Sequence, residues 1–287
     1  MAGILCSGLA GLLDCSGPAK PRRCYRGPEQ KATAMDPAPT PSPRVSVCMA
    51  AYNGARHIGE QISSILPELQ EHDELVIVND YSIDNTSEII RGFDDSRIRL
   101  IEAESNAGYV RTFERALSEA RGQFVFLSDQ DDIWIPGRVE LMISALAESA
   151  MVVSNCEHVE GALGSFHELR LRSSDSPHTV RNILGIVIGY RLHWGCATAF
   201  RASMLDQILP FPTYMNESHD QWIAMVGNVN KSIAYLDDDT IRHRLHGENL
   251  TPLGIRSPGK ILKARIAFLR NVATAISRAR RTRTLEV

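Results

Sequence analysis

Apolar residues along the chain fall into short runs separated by polar turns, and these runs alternate with stretches of helical spacing. Val45–Met49 is the first run, and the turn Ala51-Tyr-Asn-Gly54 follows it. Ile58, Ile62, Ile65 and Leu69 then recur at the period of an amphipathic helix, with Pro67 disturbing the last turn. Leu75–Val78, Ile98–Ile101 and Gln123–Leu127 read as further strands. Between them, Asn85-Thr-Ser-Glu88 has capping-box spacing ahead of Ile89 and Ile90, while Tyr109, Phe113, Ala116, Leu117 and Ala120 mark another helix. This alternation predicts βαβ units, hence an α/β fold with a mostly parallel sheet and helices on both faces.

Beyond residue 150 the pattern loosens. Met151–Ser154 and Cys196–Arg201 read as strands, and Ala202–Leu209 as a helix ending at Pro210. A second helix begins near Ser218, and short strands are expected at Ile233–Leu236 and Thr240–His246. Residues 1–43 show no apolar period and end in PAPTPSP, which predicts a disordered tail, with Met35 an alternative start. Residues 44–255 are the expected folded domain. In 256–287, Leu262, Ile266, Leu269, Ala273 and Ile276 form a stripe among nine Lys and Arg residues opposed only by Glu286. That predicts a basic amphipathic helix, which either touches an anionic membrane peripherally or packs on its own domain.

Composition narrows the choice of partner. A net charge of −3 over 287 residues gives no argument for nucleic acid. Six cysteines without a CxxC pair exclude a zinc ribbon and fit a reducing, cytoplasmic location. The apolar runs are shorter than the roughly 20 residues needed to span a bilayer. GxxxxGK[ST], GxGxxG and GxSxG are all absent, which argues against an NTPase, a dinucleotide enzyme or a nucleophile elbow.

The polar clusters sit directly after strands, where α/β sheets bind their ligands. Ser128-Asp-Gln-Asp-Asp132-Ile-Trp134 gathers three mutually repelling carboxylates, with Asp129 and Asp131 on one side of an extended chain. A hard divalent cation, Mg2+ or Mn2+, compensates such a cluster; a solvated acidic turn is the alternative. Asn79-Asp-Tyr-Ser-Ile-Asp84 could present Asp80 to a nucleobase or ribose, or could simply start a helix. Ser218-His-Asp-Gln221 has capping-box spacing, which puts Asp220 in a first helical turn. On the last strand, alternation groups Arg242, Arg244 and His246 as a grip for a diphosphate.

Taken together, Val45-Ser-Val-Cys-Met-Ala-Ala-Tyr-Asn-Gly54, Phe126-Leu-Ser-Asp-Gln-Asp-Asp-Ile-Trp134, Gly195-Cys-Ala-Thr-Ala-Phe-Arg201, His219-Asp-Gln-Trp222 and His246-Gly-Glu-Asn249 resemble the family 2 glycosyltransferases of GT-A fold, in the bacterial rhamnosyltransferase-like branch. The resemblance runs from about Arg44 to Pro252. It implies an inverting, metal-dependent transfer of a sugar from a dTDP- or UDP-linked donor to a saccharide or lipid-linked acceptor in cell-surface polysaccharide synthesis. It also implies Asp220 as general base, Ala50, Tyr52, Asp80 and Asp129 at the donor, Asp131 and His246 at the metal, and Gly195, Cys196 and Trp134 on the acceptor side. Two positions depart from the pattern: Asn79 replaces an acid and Tyr81 a glycine. They motivate a rival reading as an inactive carbohydrate- or partner-binding module. A sugar-nucleotide pyrophosphorylase is a further rival, but it needs a glycine- and lysine-rich loop that Ala50–Gly54 does not supply.

Overall fold

The early strands form because their runs can be buried on both sides. β1 (Val45–Ala51), β2 (Glu74–Asn79) and β4 (Phe124–Ser128) are buried along nearly their whole length, so both faces of the sheet are covered where they lie. The computed structural model describes residues 42–159, 170–244 and 257–285. All of these belong to one compact unit, Pro41–Val287. The expected tail lies outside the described residues except for its last two positions.

β3 (Ile98–Glu102), β5 (Ile133–Trp134), β6 (Met151–Val159), β7 (Thr198–Arg201) and β8 (Ile233–Arg244) complete an eight-stranded sheet in the order β3-β2-β1-β4-β7-β6-β8-β5. Four neighbouring pairs are parallel (β1–β2, β2–β3, β1–β4 and β6–β8) and three are antiparallel. The parallel half is the part the alternating pattern anticipated. The two strands expected after Ile233 are one continuous β8, because register shifts opposite Val153–Cys156 absorb the acidic stretch Asp237–Asp239. Asn155 supports the irregularity by donating to Leu236 O and Asp237 O.

Helices α1 (Ile58–Ile65), α2 (Thr86–Arg91) and α3 (Tyr109–Ser118) follow the parallel strands β1, β2 and β3, and α4 (Arg138–Ala145) follows β5. Later come α5 (Thr179–Ile188), the short α6 (Leu205–Ile208), α7 (His219–Val229) and α8 (Pro258–Leu285). Neither expected capping box forms. Asn85 makes no side-chain cap; Asp84 does that work, accepting from Thr86 N at 3.1 Å while its other oxygen accepts from Ala55 N. Burial alone would push the Asp84 carboxyl up, but the bonds from Thr86 and Ala55 outweigh it and hold the group below its ordinary value. Ser218 has a left-handed backbone with φ of 63° and caps nothing.

Candidate functional site

Register brings the acidic turns together. Ala51 pairs with Asn79 and Met49 with Ser128, so the ends of β2, β1 and β4 lie side by side and their following loops meet. Gln130 ties two of these loops: its Nε2 donates to Tyr52 O at 3.0 Å, and its Oε1 accepts from Tyr52 N at 2.9 Å. Asp80 N donates to Ala51 O at 2.7 Å and ties the third. Ala50 is half-buried and the Tyr52 side chain is exposed at this edge.

The Asp80 carboxylate is buried and accepts from two successive amides, Ala107 N at 2.8 Å and Gly108 N at 2.9 Å. It therefore clamps the loop that starts α3, a role the sequence did not reveal. A carboxylate has about four lone-pair sites, so acceptor capacity remains. Beside it, Asn79 Nδ2 donates to Ser87 Oγ and to Glu102 Oε2, both at 2.7 Å. An acid in its place would set two carboxylates against each other, which explains the first departure from the family pattern. Tyr81, the second, is exposed and carries a φ of 63°, the left-handed region in which glycine is at ease.

After β4 the acidic residues divide. Asp132 turns inward with no exposed surface; its Oδ1 accepts from His243 Nδ1 at 2.7 Å and Arg244 N at 3.3 Å, while its Oδ2 is buried without a partner. Burial alone would push the His243 imidazole down, but the hydrogen bond and charge of Asp132 raise it to about 9. Asp129 and Asp131 are half-buried. Burial, then the charges of Asp132 and Asp131, push the Asp129 carboxyl up to about 8 against the opposing pull of His243. Three carboxylates against the one cationic imidazole of His243 leave excess negative charge, and Asp132 Oδ2 is buried without a partner; this oxygen-rich set fits a hard divalent cation. Asp132, Cys196 and His243 also bring ligand atoms within 4.8 Å of one another. That trio suits such an ion less well. Asp132 Oδ1 and His243 Nδ1 already bond each other, and the Cys196 thiol is pushed far up by a bond to Cys156 and by burial.

On the other side of the site, Asp220 sits in the first turn of α7 and its Oδ1 accepts from Gln221 N at 2.7 Å. Burial raises its carboxyl to about 6, against the lowering effect of that bond. Its charge is felt at Asp129, so Asp220 and the acidic turn share one field. Gly195 runs directly against Asp220 and His219, where the absence of a side chain permits the approach. His219 is buried against Phe113, ring centroids 4.4 Å apart, and neither ring nitrogen has a hydrogen-bond partner. Burial lowers it to about 3, so it is neutral and serves to seat α7 rather than to carry protons.

Three expectations are corrected here. Trp134 does not face an acceptor: it is buried against Phe126, with the guanidinium of the buried Arg138 4.7 Å from its ring. Cys196 is likewise buried beneath the acidic turn, its carbonyl accepting from Arg138 Nη2 at 2.7 Å. Arg242 and Arg244 do not form a joint diphosphate grip, since Arg242 pairs with Glu157 and Arg244 with Glu60. His246 lies outside the described residues. Among the described residues, the histidine that reaches the acidic turn is His243, of opposite strand parity; it, Gln130 within the turn and Arg138 beneath Trp134 and Cys196 were all missed in the sequence. The antiparallel pairing of β5 with β8, Ile133 opposite Arg242, is what delivers His243 there, and no local pattern announces it.

The model of Glycosyl transferase family 2 matches residues 46–209. The chain is 37% identical over 105 residues to UDP-Glc:alpha-D-GlcNAc-diphosphoundecaprenol beta-1,3-glucosyltransferase WfgD of Escherichia coli, a match covering 37% of this chain and 42% of that relative. Among solved structures it resembles TarS of S. aureus in complex with UDP-GlcNAc, with a TM-score of 0.62, 20% identity, and coverage of 79% of this chain and 66% of that one. It also resembles the mannosyltransferase PcManGT of Pyrobaculum calidifontis in complex with GDP-Man and Mn2+, with a TM-score of 0.55, 20% identity, and coverage of 87% and 77%. These neighbours share the GT-A fold.

Proposed function

The chain belongs to glycosyl transferase family 2, and from that premise we propose that it transfers a sugar from a nucleotide-diphosphate donor to a saccharide or lipid-linked acceptor, with inversion at the sugar carbon. The observation that carries this reading is Asp220: a carboxylate raised to about 6, fixed on a helix start, and within electrostatic reach of the acidic turn. The work belongs to cell-surface polysaccharide synthesis on the cytoplasmic side. Free, buried Cys48, Cys156 and Cys196 support that reducing location.

In this mechanism the donor lies over the ends of β1, β2 and β4. Tyr52 and the remaining lone pairs of Asp80 meet its nucleoside, and Asp129 meets its ribose and phosphates. Asp129 and Asp131 would hold a divalent cation, which supplies neutralisation of the charge that grows on the departing diphosphate. Asp220 is mostly ionised at pH 7. It takes the proton of the acceptor hydroxyl as that oxygen bonds to the sugar carbon. Gly195, on the acceptor side, lies close against Asp220 and so bears on where the carboxylate sits. Rhamnose is the sugar the sequence resemblance favours, while the names of the structural neighbours bring UDP-GlcNAc and GDP-Man into consideration.

Thermal shift and donor hydrolysis with dTDP-, UDP- and GDP-sugars, each with and without Mn2+, test the reading. One donor should stabilise the protein and be hydrolysed slowly only with metal. Binding of a free saccharide without any donor hydrolysis would support an inactive binding module instead.

A further inference from the structure

We propose that α5 and α8 together form a docking surface for an anionic lipid bilayer, a role that stands apart from the identity of donor or acceptor. α8 meets the rest of the protein through one face. Asn271, Ala275 and Ala279 are buried there, Asn271 Oδ1 accepts from Tyr214 Oη at 3.0 Å, and Arg278 donates to the carbonyls of Gln207, Ile208 and Pro210. The apolar stripe read from the sequence is not on this face. Leu262, Ile266 and Leu269 are each half or more exposed.

A second exposed ladder lies beside it. α5 packs against α8 and turns Leu184 and Ile188 outward at helical spacing, both more than half exposed. The Arg265 guanidinium lies on Gly189, so the end of α5 is held against the early part of α8. Of the thirteen exposed large apolar side chains among the described residues, nine belong to α5, α8 and adjoining Tyr190. Such concentration marks an interaction surface, since scattered exposed apolar residues need no partner.

Charge selects the partner. Neither α5 nor α8 contains an acidic residue, whereas exposed Lys260, Lys263, Arg270 and Arg281 border the stripe. A second copy would bring like charges face to face, and a neutral apolar groove would leave these cations unanswered. An anionic bilayer takes both parts, apolar side chains below the headgroups and basic ones among them.

The test is co-sedimentation of the full chain with vesicles of phosphatidylcholine alone, or of equal parts phosphatidylcholine and phosphatidylglycerol. Binding should require phosphatidylglycerol and weaken in high salt. Leu184→Glu with Ile188→Glu, and separately Leu262→Glu with Ile266→Glu, should each reduce it at least roughly tenfold. The corresponding alanine pairs, which keep the fold neutral to charge, should reduce it less. Unchanged melting temperatures establish that the variants are folded. Three results would overturn the proposal: no binding to the anionic vesicles, full binding by the α5 pair, or lipid-free self-association that the same substitutions abolish.

Discussion

Gly195 lies close to Asp220 across the site: a methyl group added to Gly195 would fall 3.6 Å from Asp220 Cβ and 3.3 Å from His219 Nε2. The nearer distance is tight, so one neighbour must yield by a few tenths of an ångström. The tight contact is with His219, and since Asp220 follows it directly in α7, a shift of His219 carries the carboxylate with it. Gly195→Ala should therefore lower transfer roughly tenfold with donor affinity unchanged, as expected when a reacting group is displaced. Single-turnover transfer beside a donor titration separates the two effects.

The raised Asp220 carboxyl sets a pH dependence. As a base it must be ionised, so kcat/KM should fall about tenfold per pH unit below about 6, rather than below the ordinary carboxylate value near 4. Asp220→Asn should cut turnover roughly 10²–10⁴-fold. The stability sign is opposite. The folded state binds this proton more tightly than the unfolded state, so the group destabilises increasingly as pH rises from about 4 to about 6. Asp220→Asn should thus gain about 1–3 kcal/mol at pH 7 but almost nothing at pH 3. Denaturant melts at the two pH values check it.

Asp131→Asn should abolish metal-stimulated donor binding without unfolding the protein. It removes one charge from a set of oxygen ligands while leaving a half-buried side chain of equal size. Calorimetric titration with Mn2+ and donor decides this; undiminished Mn2+-dependent binding would remove Asp131 from the metal assignment.

Restoring the family's usual acid at position 79 should do harm. Asn79→Asp deletes the donor that serves Ser87 and Glu102 and places a carboxylate about 3 Å from another. The expected loss is about 1–3 kcal/mol, partly recovered by adding Glu102→Gln. Equal stability of Asn79→Asp and the parent would show that the Asn79–Glu102 bond contributes nothing.

The parallel half of the fold was legible because its strands are continuous apolar runs, and burial on both faces leaves that simple mark. The acidic turn and Asp80 stood out for a related reason, as polar clusters directly after buried strands; the helix start at Asp220 was suggested by spacing, although the expected capping box does not form. What escaped depends on partners distant in sequence. Trp134 and Cys196 look like site residues within their strings, yet Arg138 gathers both into the core. Alternation directed attention to Arg242, Arg244 and His246, while the pairing of β5 with β8 gives His243 to Asp132. The α8 stripe was seen correctly as a stripe. Its direction could not be read, because small residues on the opposite face, Ala275 and Ala279, do the packing.

Asp80 holds Ala107 and Gly108, and the next residue, Tyr109, accepts a hydrogen bond at its hydroxyl from Ser218 N at the start of the helix that bears Asp220. Two halves of the molecule are thereby coupled like parts of a gear train. The Ala107 and Gly108 amides share one latch, so in deuterated solvent they should surrender their protons as a pair, on a single time constant. A ligand that steadies Asp80 should lengthen that constant and also slow exchange at Ser218, far along the chain. Isotope exchange at three peptides would then give a clock for how firmly the edge around Asp80 grips the helix that carries Asp220.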